Sequence, residues 1–242
     1  MEAVIVATAR TPIGRAVKGS LVDCRPDDLS ATIIEALLAK VPALDPAEIE
    51  DVIWGTANPA GESGFNIARV AGILAGIDAP GATVHRACGS SLQTIRMAAH
   101  AIRAGENDVI ISGGVETVSR HDRGHANSVE NRNPRFRSAT ERSEARAVGG
   151  APGWEPPAGL PDMYIAMGQT AENVAQYANV SREEMDDLAF LSQKRAVESQ
   201  ENGFFEREIT PVTLADGTVV ATDDCPRPVS YTHLTLPTTP YV

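Results

Sequence analysis

The stretch that most constrains the fold is residues 83–103, TVHRACGSSLQTIRMAAHAIR. A short β-branched entry leads to Cys88, which is followed by glycine, two serines and then a helical pattern. Gly105 stands where a left-handed C-cap would end that helix. The pattern predicts a strand, a turn at Cys88 and a helix, which together form one unit of an α/β fold. Apolar residues recur on one face of the predicted helix: Leu92, Ile95, Ala99 and Ile102.

The predicted turn bears on the chemistry of Cys88. The first amide N–H groups of a helix have no intrahelical partners and form its positive end. A thiol beside them is favoured in its thiolate form, which is the nucleophile. The alternative interpretation is a small buried cysteine ahead of a core helix, the commoner role of an isolated cysteine. Local electrostatics leaves both interpretations open.

The first half of the chain alternates short apolar runs with helical patterns. Runs typical of strands buried on both faces lie at residues 3–8, 51–56 and 108–112. The helical patterns between them begin near Asp27 and Ile67. Together with the strand before Cys88, this alternation predicts an α/β fold whose strands pair in parallel.

The second half of the chain differs from the first in composition and periodicity. Residues 119–161 are charged, contain Gly and Pro, and lack periodicity, which predicts a long loop. Helical patterns resume at 167–178 and 181–202, and a capping box at Ser181 and Glu184 opens the second of them. The side of this helix predicted to be buried carries Met185, Leu188 and Ala189.

Composition and charge exclude several classes of function. The net charge of −11 argues against nucleic acid as the main partner. No apolar run is long enough to cross a membrane, and the first residues lack the features of a secretory signal. The cysteines Cys24, Cys88 and Cys225 form no CxxC pair and no metal-ligand spacing. We therefore expect no metal site and a reducing, cytoplasmic location.

Residues 229–242 differ from the rest of the chain. They contain no Asp, Glu, Lys or Arg and are dominated by Thr, Pro and apolar residues. We interpret them as a non-native tail and exclude them from the fold. The alternative is a hydrophobic C-terminal β-segment.

Four motifs follow one another along the chain: ATARTPIG at 7–14, HRACGSSLQ at 85–93, SGGVETVS at 112–119 and MGQTAENVA at 167–175. In these motifs the chain resembles the thiolase family, and the resemblance covers residues 1–228. The second motif is similar to the nucleophile motif of the family, with Cys88 in the position of the acyl-accepting cysteine. The resemblance thus implies that Cys88 is the catalytic nucleophile.

The resemblance also implies an architecture. It is that of a thiolase-like N-terminal core half with layers of α, β and α, interrupted by a long inserted loop domain that covers the acyl-CoA. Residues 1–118 would form the core, incomplete here, and residues 119–228 the loop domain, while the C-terminal half would be missing. CoA and acyl-CoA would be substrates, no cofactor would be bound, and the intact enzyme would be a homo-oligomer, a dimer or a tetramer.

The sequence departs from the family in the residues of that C-terminal half. The activating His of a Gly-His-Pro motif, an Asn-Glu-Ala-Phe segment and a second Cys in Cys-x-Gly-Gly have no counterpart. His85 lies three residues before Cys88 on a predicted strand, so the two side chains should point to opposite faces, and we predict a structural role for His85. Three further histidines are not expected to act as the base, because they lie mid-helix or in the loop: His100, His121 and His125.

Three functions remain open. The resemblance favours an acyl-CoA acyltransferase for the gene product, one that cleaves 3-ketoacyl-CoA thiolytically, or runs the reverse Claisen condensation, through an acyl group on Cys88. The second is a related Cys-dependent condensing synthase. The third is a non-catalytic fragment that binds CoA or a full-length partner, and the missing base favours it for these 242 residues by themselves.

Overall fold

The computed structural model describes residues 2–149 and 154–228. These residues form two compact units, the first with residues 2–126 and 199–226, the second with residues 127–149, 154–198 and 227–228. The domain boundaries expected from the sequence, at residues 118 and 228, stay a prediction. The segment interpreted as a tail, 229–242, lies outside the described residues.

The first unit is built on a three-stranded parallel sheet. β1 spans Asp51–Gly55, β2 spans Gly81–Val84 and β3 spans Ile110–Gly114, in the order β2-β1-β3. The last residue of β1 pairs with the last residue of β2 on one side and with that of β3 on the other. The three strands therefore end at one edge of the sheet, and the predicted α/β fold with parallel pairing is confirmed.

Three helices accompany this sheet: α1 at Pro26–Ala39, α2 at Ile67–Leu74 and α3 at Ser90–Ala104. A short hairpin of β4 (Val212–Thr213) and β5 (Val219–Val220) also belongs to the first unit. The indole N–H of Trp54 donates to Ser30 Oγ at 2.9 Å, so the buried nitrogen has its partner. The core cluster consists of apolar side chains from the sheet, α1, α2 and their connections: Ile34, Ile49, Val52, Trp54, Ile67, Ala68, Ala71, Ile77, Ala79 and Ile111.

The strand predicted at residues 3–8 is wrong. No described residue of this stretch belongs to a strand, and Val4, Ile5 and Val6 are 71%, 72% and 76% exposed. An extended segment forms a strand only when its N–H and C=O groups pair with a neighbour. Among the described residues, the first such bridge along the chain is at Arg10, to Ile209.

The predicted turn and helix after β2 are confirmed, but the face of the helix that carries the recurring apolar residues is not its buried face. α3 ends at Gly105, whose φ of 76° is the left-handed C-cap conformation. Leu92 and Ile95 are 71% and 40% exposed. The spacing of the apolar residues therefore does not mark the buried side of α3. Its buried residues are all small: Ser90, Thr94 and Ala98.

The second unit contains α4 (Arg137–Ala147), α5 (Met167–Ala178) and α6 (Arg182–Glu201). α5 and α6 lie where the sequence predicted helices. The predicted capping box is confirmed, because the N–H of Ser181 donates to Glu184 Oε2 at 2.8 Å and the N–H of Glu184 donates to Ser181 Oγ at 3.2 Å.

α4 corrects the prediction of a structureless loop over residues 119–161. Of its described residues, only Ala139 is buried, so the helix leaves no apolar periodicity in the sequence. Polar contacts hold it instead: Arg142 donates to the carbonyl oxygen of Leu160 at 3.0 Å, and Arg146 donates to the side-chain oxygen of Asn173.

The side of α6 predicted to be buried is exposed. None of its described residues is buried, and Leu188 is 66% exposed. No helix among the described residues is long and apolar enough to cross a membrane. Short 3-10 segments connect the longer elements, at Pro46–Glu48, Gly61–Ser63, Val118–Arg123, Val129–Asn131, Pro134–Phe136 and Phe205–Arg207.

Candidate active site

Cys88 lies beyond the edge at which the three strands end. β2 ends at Val84 and α3 begins at Ser90, so Cys88 occupies the connecting turn, as predicted. In open parallel sheets, ligands bind beyond the carboxyl ends of the strands. Cys88 is a free and exposed thiol. It therefore stands where a ligand bound at this edge has access to its sulfur.

The turn before α3 has a strained backbone. Ala87 has a φ of 45°, in the left-handed region that residues with a Cβ rarely adopt. Gly89 is the N-cap of α3, and neither a side-chain cap nor an acidic residue of the first turn neutralises the helix end. The positive end of α3 therefore faces the turn that contains Cys88 without a counter-charge of its own.

Ser90 organises this turn. Its buried Oγ accepts the N–H of Arg86 at 2.9 Å, and it lies 2.6 Å from the carbonyl oxygen of Ala87 and 3.2 Å from that of Thr56. One hydroxyl thus links both ends of the turn to the residue that follows β1. No role for Ser90 was predicted from the sequence. The signal for its role is a hydroxyl at the first position of a helix, within reach of the preceding turn.

Glycines at the ends of β1 and β3 let α3 approach the sheet. A Cβ on Gly55 would lie 2.6 Å from the carbonyl carbon of Ser90. A Cβ on Gly114 would lie 2.9 Å from the Cβ of Ser91. Because no side chain fits at either position, the start of α3 and the turn before it are held directly against the sheet.

Two loops beyond the edge at which the strands end are joined by an ion pair and hydrogen bonds. Arg120 donates to both carboxylate oxygens of Glu62, at 2.6 and 2.7 Å, and both side chains are nearly buried. The Asn58 side chain donates to the carbonyl oxygen of Gly124 at 2.9 Å and accepts the N–H of Ala126 at 2.8 Å. The loop after β1 and the loop after β3 therefore form one rigid rim.

Acid is expected to weaken this rim through Glu62. The hydrogen bond from Arg120 lowers the pKa of Glu62 below its ordinary value of 4.5. The stabilising contribution is therefore present above the pKa of the unfolded chain and is lost as the pH falls through the folded pKa. Glu62→Gln should cost about 1–3 kcal/mol of unfolding free energy at pH 7 and much less at pH 3. Denaturation curves that show the same cost at both pH values would contradict this account.

The described histidines are not hydrogen-bonded to the Cys88 thiol. Within residues 2–149 and 154–228, no hydrogen bond reaches that thiol. His85 Nδ1 lies 3.2 Å from the carbonyl oxygen of Thr56, and His121 packs its ring edge-on against His125, with centroids 4.9 Å apart. The expectation that none of the described histidines is the base stays a prediction.

The other two cysteines differ from Cys88 in surroundings. Cys24 is half-buried, and burial raises the pKa of its thiol, which disfavours the reactive thiolate. Cys225 is exposed and lies near the end of the described chain. Among the described residues, no three His, Cys, Asp or Glu side chains come together as a metal site.

Comparison with known proteins agrees with this geometry. Residues 3–238 match the family model described as thiolase, N-terminal domain. The chain is 42% identical to a beta-ketoadipyl-CoA thiolase of Acinetobacter baylyi and 38% identical to a 3-ketoacyl-CoA thiolase of Pseudoalteromonas translucida. It is 40% identical to a 3-oxoadipyl-CoA/3-oxo-5,6-dehydrosuberyl-CoA thiolase of Escherichia coli. These alignments cover 93%, 91% and 92% of this chain.

The same alignments cover 56%, 52% and 54% of the relatives, so the chain spans about half the length of the curated relatives it matches. The family match runs into the segment at 229–242, whose interpretation as non-native stays a prediction. A match over nearly the whole chain, on a parallel α/β fold that carries the nucleophile motif at a strand-to-helix turn, shows that the chain belongs to the thiolase family.

Proposed function

We propose that the protein is an acyl-CoA acyltransferase that cleaves 3-ketoacyl-CoA thiolytically, or runs the reverse Claisen condensation, with the acyl group carried on Cys88. The observation that carries this proposal is an exposed thiol at the uncapped positive end of α3, beyond the ends of parallel strands. A helix end of this kind favours the thiolate. It also stabilises the oxyanion that forms when a thiolate adds to a carbonyl group.

In the proposed first step, the Cys88 thiolate attacks the 3-keto carbon of the substrate. The bond between C2 and C3 breaks, its electron pair passes to the enolate of acetyl-CoA, and the remaining acyl group stays on the sulfur as a thioester. The enolate then takes a proton. In the second step, the thiol of CoA loses its proton and attacks the thioester, which releases a shortened acyl-CoA and restores the thiolate.

Both steps move a proton and need a positioned base. No hydrogen bond reaches the Cys88 thiol from the described residues, and the sequence has no counterpart of the base motif of the family. For these 242 residues by themselves we therefore propose a non-catalytic state that binds CoA or a partner chain. The whole protein would then owe its activity to Cys88 together with a base from a longer chain.

The second unit supports the substrate class. It contains a cavity of about 820 Å³ lined by apolar and aromatic residues, Trp154 and Tyr177 among them, and by Arg142 and Arg146. Cavities of this size and lining hold small organic molecules, and guanidinium groups bind phosphate and carboxylate. The proposed ligand of this unit is part of an acyl-CoA, in keeping with the named relatives, which are thiolases of ketoadipyl-CoA and other ketoacyl-CoA substrates.

Further parts of the proposal follow the family. CoA and acyl-CoA would serve as substrates without a bound cofactor or metal, the location would be cytoplasmic, and the intact enzyme would be a homo-oligomer, a dimer or a tetramer, with no nucleic-acid partner. The alternative function is a related Cys-dependent condensing synthase, which would use a different set of bases.

The proposed function is tested by joining residues 1–228 to the C-terminal half of a thiolase relative. With acetoacetyl-CoA and free CoA, the joined protein is expected to release acetyl-CoA at an enzymatic rate. The 242-residue chain alone should be about 100- to 10,000-fold slower, which is the usual contribution of a positioned base. Condensation without thiolysis in the joined protein would favour the synthase, and equal turnover by the chain alone would refute its non-catalytic state.

A further inference from the structure

One peptide group, between Thr56 and Ala57, is hydrogen-bonded on both sides next to the turn that precedes α3. Its carbonyl oxygen lies 3.2 Å from Ser90 Oγ and 3.2 Å from His85 Nδ1. Its N–H, on Ala57, donates to Glu116 Oε2 at 2.6 Å. Because the C=O and the N–H belong to one rigid plane, any movement at the Glu116 side also moves the carbonyl oxygen that faces Ser90.

Glu116 is well placed to fix this plane. It follows β3 by two residues, and its carboxylate reaches across to the loop after β1. A hydrogen bond to a carboxylate is roughly twice as strong as one between neutral groups, and hydrogen bonds in series polarise one another. The second oxygen, Oε1, lies 3.3 Å from His121 Nε2. Both carboxylate oxygens are therefore engaged.

We propose that Glu116 is a positioning residue for Cys88, acting through the Thr56–Ala57 peptide and Ser90 on the turn that holds the thiol at the positive end of α3. Ser90 transmits the constraint because its Oγ also accepts the N–H of Arg86 and contacts the carbonyl oxygen of Ala87, the two residues that precede Cys88 in the strained turn. The inference rests on the proposed role of Cys88 as the nucleophile. Glu116 lies in the motif SGGVETVS at 112–119, and the motif alone predicted no role for it.

The test compares Glu116→Ala with Glu116→Gln in the 242-residue chain. Iodoacetamide alkylation of the Cys88 peptide is followed by mass spectrometry across a range of pH. Glu116→Ala removes the acceptor of the Ala57 N–H, so alkylation of Cys88 should slow at least threefold. Glu116→Gln keeps an acceptor oxygen and should stay within twofold of the parent chain. An equal change of the alkylation rate in both variants would reveal a direct effect of the Glu116 charge and overturn the proposal.

Glu50 offers a matched control at the opposite edge of the sheet. Its carboxylate accepts the backbone N–H groups of Asp108 and Val109, so it also ties β1 to β3. Glu50→Ala should lower thermal stability and leave the alkylation rate of Cys88 unchanged. If Glu50→Ala slows alkylation as much as Glu116→Ala does, the effect is general loosening and the proposal fails.

Ser90→Ala breaks the same path at its other end. It should slow alkylation as Glu116→Ala does, and the double variant should show no further slowing, because both changes release one constraint. Additive effects would overturn the proposal. If the Glu116→Ala chain loses the circular dichroism of the folded chain, Glu116→Asp is used in its place, because aspartate withdraws the carboxylate by one methylene. The expected result and the result that would overturn the proposal are the same as for Glu116→Ala. Since alkylation needs no turnover, failure of this inference is distinguishable from failure of the proposed thiolase activity.

Discussion

Replacing Cys88 with alanine is expected to abolish thiolysis in residues 1–228 joined to a thiolase C-terminal half, with a loss of at least about 10⁴-fold in kcat. The loss is large because no acyl-enzyme can form without the sulfur, and the remaining groups can only bind the substrate. The measurement is the rate of acetyl-CoA release from acetoacetyl-CoA and free CoA.

Cys225→Ala is the matched control, because Cys225 is also an exposed free thiol of the same unit. It should keep the parent activity within about twofold, as expected for a surface substitution away from the site. A Cys88→Ala protein that keeps a substantial fraction of the parent rate would remove Cys88 from the reaction. Loss of activity in Cys225→Ala, with Cys88 intact, would move the nucleophile to the other thiol.

Replacing Gly55 with alanine is expected to destabilise the first unit by about 3 kcal/mol. The new Cβ would lie 2.6 Å from the carbonyl carbon and 2.9 Å from the Cβ of Ser90, and these atoms belong to the start of a helix and cannot rotate away. The helix must move as a body, and the turn with Cys88 must move with it. Urea denaturation of the 242-residue chain measures the change in free energy.

Gly72→Ala is the control for this substitution. Gly72 lies within α2, and its new Cβ would meet Val52 Cγ2 at 3.5 Å and the carbonyl oxygen of Ile77 at 3.7 Å, both ordinary contacts. Alanine should stabilise this helix position by about 0.5–1 kcal/mol. A Gly55→Ala chain as stable as the Gly72→Ala chain would show that α3 is not in contact with the end of β1.

The sequence predicted the elements around Cys88 well because each has a strong local signal. β1 is buried from Val52 to Gly55 and β3 is buried at Ile111, and Gly105 marks the end of α3 through its left-handed backbone. The run at 3–8 has the same local signal as these strands, yet it forms no strand in the described residues. A strand forms only where the free edge of a neighbouring strand is available for pairing, and no local sequence pattern encodes that.

The buried face of α3 does not follow from its apolar spacing, for a different physical reason. The helix lies so close to the glycine ends of β1 and β3 that only small side chains fit between them, and Thr94 there donates to the carbonyl oxygen of Gly113 at 3.1 Å. Apolar residues such as Leu92 are too large for that contact. Hydrophobic periodicity finds faces that pack through large side chains and misses those that pack through small ones.

Within the site, Cys88 could be predicted from the sequence, whereas the residues that hold its turn could not. Cys88 stands at a strand-to-helix turn in a recognisable motif, whereas Ser90 and Glu116 act through backbone groups of Thr56 and Ala57, about 30 and 60 residues earlier in the chain. Contacts of a side chain with distant backbone leave no pattern in the sequence. α4 was missed similarly, since arginines and not apolar residues hold it.

The most direct measurement locates the acyl group itself. The chain joined to a thiolase C-terminal half is incubated with labelled acetyl-CoA, digested, and its peptides are analysed by mass spectrometry. We predict an acetyl group on the Cys88 peptide and its removal when free CoA is added, as transfer through a thioester requires. An acetyl group on Cys24 or Cys225, or turnover without any label on Cys88, would contradict the assignment of Cys88 as the acyl carrier.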